Sequence, residues 1–391
     1  MEMDRKERLK RLRITKLKQM NSTVAIWFAA SIVVLSVAGI IAPDVSFSKE
    51  ENRILTQRPD LTWDGITSKK FMENIESYTS DQFIGRDFWV NVKVHSDMLL
   101  GKREFNGVYL GKKKYLMQKQ SEPDEKNVAK NLKAINKYAK KNSDVNVNVM
   151  LVPNAAYILE DYMPAGAPVK DQGQQLKQIK EQLSDDINCI DVSSTLKKHA
   201  SEGIYYKTDH HWTTKGAYLG FQAAAEELGI SDPITAYDVY QVTNTFSGTL
   251  SSTSGYHGVE DTIEVYAPKK SKVQYLVTDS DNNEKSTSVY RREALKEKDQ
   301  YQVFFGGNHG MVEIKTTAEN NSKLLVVKDS YANCFVPFLI PYYSEIIMID
   351  PRYYYENTQN LTENKGITDV LFLYNMDTFL ADRSIADALT E

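Results

Sequence analysis

From about residue 121 onward the chain predicts an α/β fold: a mostly parallel sheet covered by helices on both faces. Strand-like and helix-like stretches alternate there, which is the pattern of such a sheet. A helix over Asp124 to Lys141 leads to "VNVNVMLVPN", a strand ending at Asn154. A helix over Asp171 to Leu183 leads to strand "INCIDV"; "TDHHW" then opens a helix, "TKGAYLGFQAAAEELG", closed by Gly229. Residues 235–320 are rich in Thr, Ser and Asn with short β-like runs, and read as a β-rich insertion. The α/β rhythm returns with strand "KLLVVK", helix "YANCFVPFL", strand "EIIMID", a helix near Thr358 to Asn364 and strand "DVLFLYN". Ligands in such sheets bind beyond the carboxyl ends of the strands.

The N-terminal third is different. The 391-residue chain has a formal charge of −4, but its first 20 residues hold eight Lys/Arg against three acids. That net of +5 leaves −9 on residues 21–391, a body unsuited by charge to nucleic acid. The arm, residues 1–23, runs into Val24 to Ala42, which has no charged residue. At ~1.5 Å per residue this apolar run spans roughly the hydrocarbon thickness of a bilayer. It reads as an uncleaved single-pass anchor in the lipid bilayer over 24–42, with the N-terminus cytoplasmic and the body extracellular; a cleaved signal peptide is the rival. An extracytoplasmic segment follows over 43–120, with a helical stretch near Ser68 to Leu100 and a hairpin at "NGVYLGKKKYLMQ". Gly107, Gly111 and Lys112 miss the P-loop spacing. The two cysteines, Cys189 and Cys334, lie in apolar runs and read as buried thiols.

The chemistry gathers at strand ends. "KLLVVKDSYAN" stops at Asp329-Ser330 and enters a helix, which would present a hydroxyl at the sheet rim; a plain helix cap gives the same pattern. "TDHHW" supplies Asp209 and His211 one residue apart, so that a carboxylate can fix the tautomer of an imidazole able to deprotonate Ser330. His210 then points elsewhere, to the surface or the substrate rim. A zinc site with His257 and His309 is the rival, but no H-x-x-x-H or C-x-x-C pattern supports it. No metal and no cofactor are expected.

"TDHHWTTKGA", "VVKDSYANCFVPFL", "ENRILTQRP", "SDQFIGRDFW" and "NGVYLGKKKYL" together resemble the DHHW family, related to the alginate O-acetylation proteins of the SGNH-hydrolase-like class. The resemblance covers nearly everything after the apolar span. It implies a Ser–His–Asp site on a flavodoxin-like three-layer fold, the catalytic domain occupying 121–391. It also implies O-acetylation of an exported polysaccharide beside a membrane-bound O-acyltransferase that supplies the acetyl group. Ordinary SGNH chains place the serine first and D-x-x-H last; here the order is reversed, as in a circular permutation. By that mapping Asn375 falls where the oxyanion-hole asparagine would be, and Arg352 where the glycine block would be. K-D-S replaces G-D-S, so the remaining donors do not carry over. Asn308 in "GGNHG", His210, Trp212 and Tyr331 complete the oxyanion and substrate candidates, and "RYYYEN" and "PYYSE" offer stacking surfaces for sugar rings.

Three functions fit: an O-acetyltransferase working through an acetyl-serine, a carbohydrate acetylesterase with the same triad, and a non-catalytic polysaccharide-binding scaffold.

Overall fold

The computed structural model describes residues 5–390, so the first four residues of the basic arm lie outside the described part. The chain divides into two compact units, Met1–His95 and Ser96–Glu391.

In the first unit the basic arm and the apolar run form one continuous helix, Arg5–Ile41. Its stretch Glu7–Ile41 is long and apolar enough to cross a membrane. The helical stretch expected over 68–100 is two helices, Lys70–Asp81 and Arg86–Leu99, the second spanning the boundary between the units. The break is at Gly85, whose φ of 67° a side chain would resist. "ENRILTQRP" and "SDQFIGRDFW" meet here through charge: Arg53 grips Asp81 and Arg86 pairs with Glu51. The Arg53 hydrogen bonds hold the Asp81 carboxyl down to about 2.

The second unit is built on an eight-stranded sheet. Its strands in chain order are β1 (Asn146–Val152), β2 (Ile187–Ile190), β3 (Tyr275–Asp279), β4 (Glu284–Ser286), β5 (Met311–Thr316), β6 (Lys323–Lys328), β7 (Glu345–Ile349) and β8 (Asp369–Asn375). They lie side by side as β4-β3-β5-β7-β6-β8-β1-β2. The pairs from β7 to β2 are all parallel, and β5, β3 and β4 extend the sheet antiparallel. The sheet is therefore mixed. Residues 235–320, read from sequence as a β-rich insertion, supply three strands of the central sheet. Their Tyr237–Phe246 and Asp261–Pro268 runs pair separately as an antiparallel ribbon.

Successive residues of a strand feed opposite faces. In β6, Leu324 and Val326 join one core, with Trp212 and Phe221, while Leu325 and Val327 join the other. The second core is closed by the helix Glu125–Lys141, whose buried Val128, Leu132, Ile135 and Ala139 recur at helical spacing. Asp124 caps that helix and Thr213 caps Thr214–Ala224, each accepting from a backbone N–H of the first turn. Two expectations change. The helix read at "YANCFVPFL" is a run of 3-10 turns, Ser330–Cys334, Val336–Phe338 and Ile340–Tyr342. Pro337 and Pro341 lack the N–H groups that an α-helix would use. The hairpin strands within 104–118, assigned from sequence to the segment 43–120, belong to the second unit, and Tyr109, Tyr115 and Met117 enter its first core.

Candidate active site

Ser330 stands directly beyond β6, the strand flanked in parallel by β7 and β8. Asp329 caps the turn that follows: its carboxylate accepts from the Tyr331 N–H at 2.9 Å and from the Asn375 N–H at 2.9 Å. It thereby ties the ends of β6 and β8 together and leaves Ser330 half-buried at the rim. The second segment is a tight loop closed by the bridge Tyr205↔Trp212 and by Tyr206 N–H donating to the His211 carbonyl. Asp261 accepts from the N–H groups of Lys207 and Thr208 and fixes the loop from below.

The two segments meet. Ser330 Oγ lies 2.7 Å from His211 Nε2, and His211 Nδ1 lies 2.5 Å from Asp209 Oδ1. A carboxylate only accepts, so Nδ1 carries the proton and Nε2 is left to accept from the hydroxyl. Asp209 also receives the His211 N–H, the Thr249 N–H at 2.8 Å and the Thr249 hydroxyl at 2.9 Å. Complete burial works to raise its pKa, but the two imidazoles and these hydrogen bonds prevail and hold it below the usual carboxylate range. Such an arrangement can take a proton from the Ser330 hydroxyl and stabilise the resulting imidazolium.

His210 departs from its neighbour. Its ring lies 3.9 Å from that of His211, and its Nδ1 meets the Thr249 hydroxyl at 2.9 Å. Burial, then the adjacent His211, push its pKa down to about 4 against the pull of Asp209. His210 lines a small pocket with Gln118, Asn154, Ala155, Leu250 and Asn375. Asn375 caps a helix through Oδ1 and holds Val152 only by a 3.4 Å contact from Nδ2.

Trp212 and Tyr331, read as substrate candidates, are core residues with no exposed surface. The Trp212 indole N–H donates to the Tyr331 carbonyl at 3.0 Å, and the Tyr331 hydroxyl donates back to the His210 carbonyl. Their aromatic bulk packs with Phe335 and fastens one segment to the other. Arg352 is a bidentate partner of buried Asp350, at 2.8 and 2.6 Å. Asn308 accepts from the Lys328 ammonium at 2.9 Å and from Asn333. Lys328 is itself buried, which lowers its pKa to about 8. These residues buttress β6.

Sequence reasoning missed Tyr301, Thr249 and Gly248. The Tyr301 ring stacks on the His211 imidazole at 3.8 Å and 11°, and its hydroxyl donates to the Ser330 carbonyl. A Cβ on Gly248 would stand 2.3 Å from the Asp209 Cβ, so only glycine lets the carboxylate seat. All three fall in 235–320, where only the Gly248-Thr249 pair ahead of a short helix hints at a role. Metal-ligand atoms cluster twice among the described residues, at Asp209, His210 and His211 and at Asp279, Asp281 and His309. In the first group both His211 nitrogens, His210 Nδ1 and the Asp209 carboxylate already bond within the protein, and neither His257 nor His309 joins it.

A family model described as the SGNH hydrolase-like domain of the acetyltransferase AlgX matches residues 108–308. Comparison with curated proteins gives no match. Among solved structures, the chain is similar to a DHHW family protein from Eubacterium siraeum, at 25% identity and a TM-score of 0.63, over 73% of this chain and 95% of that one. It is also similar to Bacillus cereus PatB1 with a sulfonyl adduct, at 22% identity and a TM-score of 0.60, over 71% and 96%.

Proposed function

The chain belongs to the SGNH hydrolase-like acetyltransferase family of AlgX, and from that membership we propose that it is an extracytoplasmic O-acetyltransferase for a cell-surface polysaccharide, with Ser330, His211 and Asp209 as its catalytic triad. The observation that carries this reading is the unbroken hydrogen-bonded line from Asp209 through His211 to Ser330. His211 Nε2 takes the hydroxyl proton as Ser330 Oγ bonds to the acetyl carbonyl carbon. The tetrahedral intermediate expels the donor's leaving oxygen or sulfur, which receives the proton from His211, and acetyl-serine remains. A sugar hydroxyl then attacks, gives its proton to His211, and the Ser330 oxygen leaves with that proton. The Ser330 N–H and the Asn375 side-chain amide are the oxyanion donors in this scheme.

The basic residues ahead of the apolar helix favour an N-terminus in the cytoplasm and a site outside the membrane. Acetyl-CoA stays inside, so a membrane-bound O-acyltransferase is the donor partner in this reading. His211 precedes Ser330 by 119 residues, an order that supports reading the domain as a circularly permuted SGNH chain. Half-buried Ser330 is open to water, which favours acetylester hydrolysis as a second activity of the same triad.

The test is mass spectrometry of the full-length protein in detergent with p-nitrophenyl acetate, with and without oligosaccharides. An acetyl adduct on Ser330 that discharges to sugar is expected, and Ser330→Ala lowers turnover by about 10³-fold or more. Equal turnover in Ser330→Ala and the parent protein overturns the assignment.

A further inference from the structure

In the proposed chemistry the His211 imidazole must keep one orientation while it receives and returns a proton, and its own hydrogen bonds do not fix it fully. Nδ1 lies 2.5 Å from Asp209 Oδ1 and Nε2 lies 2.7 Å from Ser330 Oγ. Both contacts use ring nitrogens, whose N–H and lone pair lie in the plane of the ring. Two in-plane bonds leave the ring free to tip about the line that joins them. What opposes tipping is pressed against its two faces.

The Tyr301 ring lies almost parallel to the imidazole, with centroids 3.8 Å apart and planes 11° apart. The His210 ring lies 3.9 Å away at 38°. Two rings this close to one imidazole cannot share a face of it, so His211 sits between them.

The two walls differ in kind. His210 is tilted and fixed by its contact with the Thr249 hydroxyl. Burial and the adjacent His211 push its pKa down to about 4, so near neutral pH it adds no positive charge. Tyr301 lies flat, and the face of an aromatic ring is the negative end of its quadrupole. Burial holds the phenol pKa well above its ordinary value and pushes the nearby Cys334 thiol up to about 12, so both stay neutral.

Tyr301 is also firmly placed. It stands on the 3-10 turn Gln300–Val303, and the rings of Phe304 and Tyr206 pack against it at 5.2 and 6.3 Å. Its hydroxyl donates to the Ser330 carbonyl at 3.2 Å. One side chain thus touches the base with its ring and the backbone of the nucleophile with its tip. The other titratable groups around the two histidines are Asp209 on their own loop, Tyr331 on the serine segment, and Asp329 and Asp299, which act on His210 through space. Of the aromatic rings near His211, only that of Tyr301 lies parallel to it.

We propose that Tyr301 is a positioning residue for the proton transfer: its ring keeps the His211 imidazole upright between Asp209 and Ser330 and stabilises the imidazolium that forms when Ser330 gives up its proton. The proton passes from Ser330 Oγ to His211 Nε2 and on to the leaving group; no bond to Tyr301 forms or breaks. The transfer rests on the triad reading, whereas the stack does not.

Full-length protein in detergent with p-nitrophenyl acetate tests this. Tyr301→Leu keeps apolar bulk and removes the aromatic face; kcat should fall about tenfold with KM unchanged, the loss of one desolvated cation–π contact. The low-pH limb of kcat/KM, which follows protonation of the base, should move toward acid. Tyr301→Phe keeps the face and should retain most of kcat. Pentafluorophenylalanine at position 301 keeps the shape of phenylalanine and reverses the charge of its face, so it should behave like Tyr301→Leu. The comparison of these two rings decides the matter even where Tyr301→Leu fails to fold. Parental kcat with an unmoved limb in the fluorinated protein, or a loss in Tyr301→Phe as large as in Tyr301→Leu, overturns the proposal. Imidazole nitrogen NMR, which needs no turnover, separates this from the catalytic reading. Equal turnover in Ser330→Ala and the parent removes the triad, while a His211 ring that protonates at lower pH in the fluorinated protein than in Tyr301→Phe still supports the stack.

Discussion

Two buried aspartates flank the Ser330–His211 contact, one on each of the segments that meet there, and they are held in opposite ways. Asp209 faces two imidazoles and accepts both the N–H and the hydroxyl of Thr249; its pKa is pulled down. Asp329 accepts two backbone N–H groups and no imidazole; burial dominates and its pKa is raised. Residue type and depth are the same, so the partners decide the direction of the shift. Asp209 is built to stay ionised beside two imidazoles. Asp329 is built to join two strand ends.

Asp209→Asn breaks the comparison most sharply. It removes the charge that balances an imidazolium, and turnover of p-nitrophenyl acetate should fall about 10³- to 10⁴-fold with folding intact by circular dichroism; a loss below tenfold would show that the carboxylate has no such role. Gly248→Ala forces the Asp209 side chain aside and should cost about a hundredfold in kcat, read alongside a crystal structure of the variant. Thr249→Val removes one hydroxyl hydrogen bond from Asp209 and should cost about tenfold, with the loss absent in an Asp209→Asn background.

The smallest effect concerns pH. Asp209 has a depressed folded pKa, so its contribution to stability is complete above the unfolded value of about 3.9 and drains away below it. Asp329 has a raised one, so its contribution is fullest below about 3.9 and declines as pH rises past that value. Urea unfolding from pH 3 to 6 should therefore show the stability gap to Asp209→Asn shrinking toward acid, and the gap to Asp329→Asn shrinking in the other direction. Slopes of the same sign would mean that the two carboxyls are equivalent.

These differences also explain what the sequence could convey. The apolar runs of β1, β6, β7 and β8 stand out because both faces are buried, and β6 and β8 end in the polar residues Lys328 and Asn375. Asp329-Ser330 is visible as a strand end, and Asp209 and His211 as neighbours in one short motif. Their supports are not local. Gly248, Thr249 and Tyr301 reach the site from a polar region whose three sheet strands are short and partly exposed, so its periodicity is faint. Trp212 and Tyr331 lie inside the motifs, but proximity in sequence does not tell a packing aromatic from one that meets substrate; their burial does. The prolines at 337 and 341 were in view, and the apolar run around them still reads as a helix until their missing N–H groups are counted.

The reciprocal clasp between the segments, Trp212 to the Tyr331 carbonyl and Tyr331 to the His210 carbonyl, has a cost. Because it brings the Ser330 hydroxyl and the His211 imidazole into register, the proposed mechanism needs no acceptor to prime the serine. Under the proposed acetyl-transfer mechanism, loss of acetyl groups to water while no sugar is bound would then be an intrinsic leak of the scaffold.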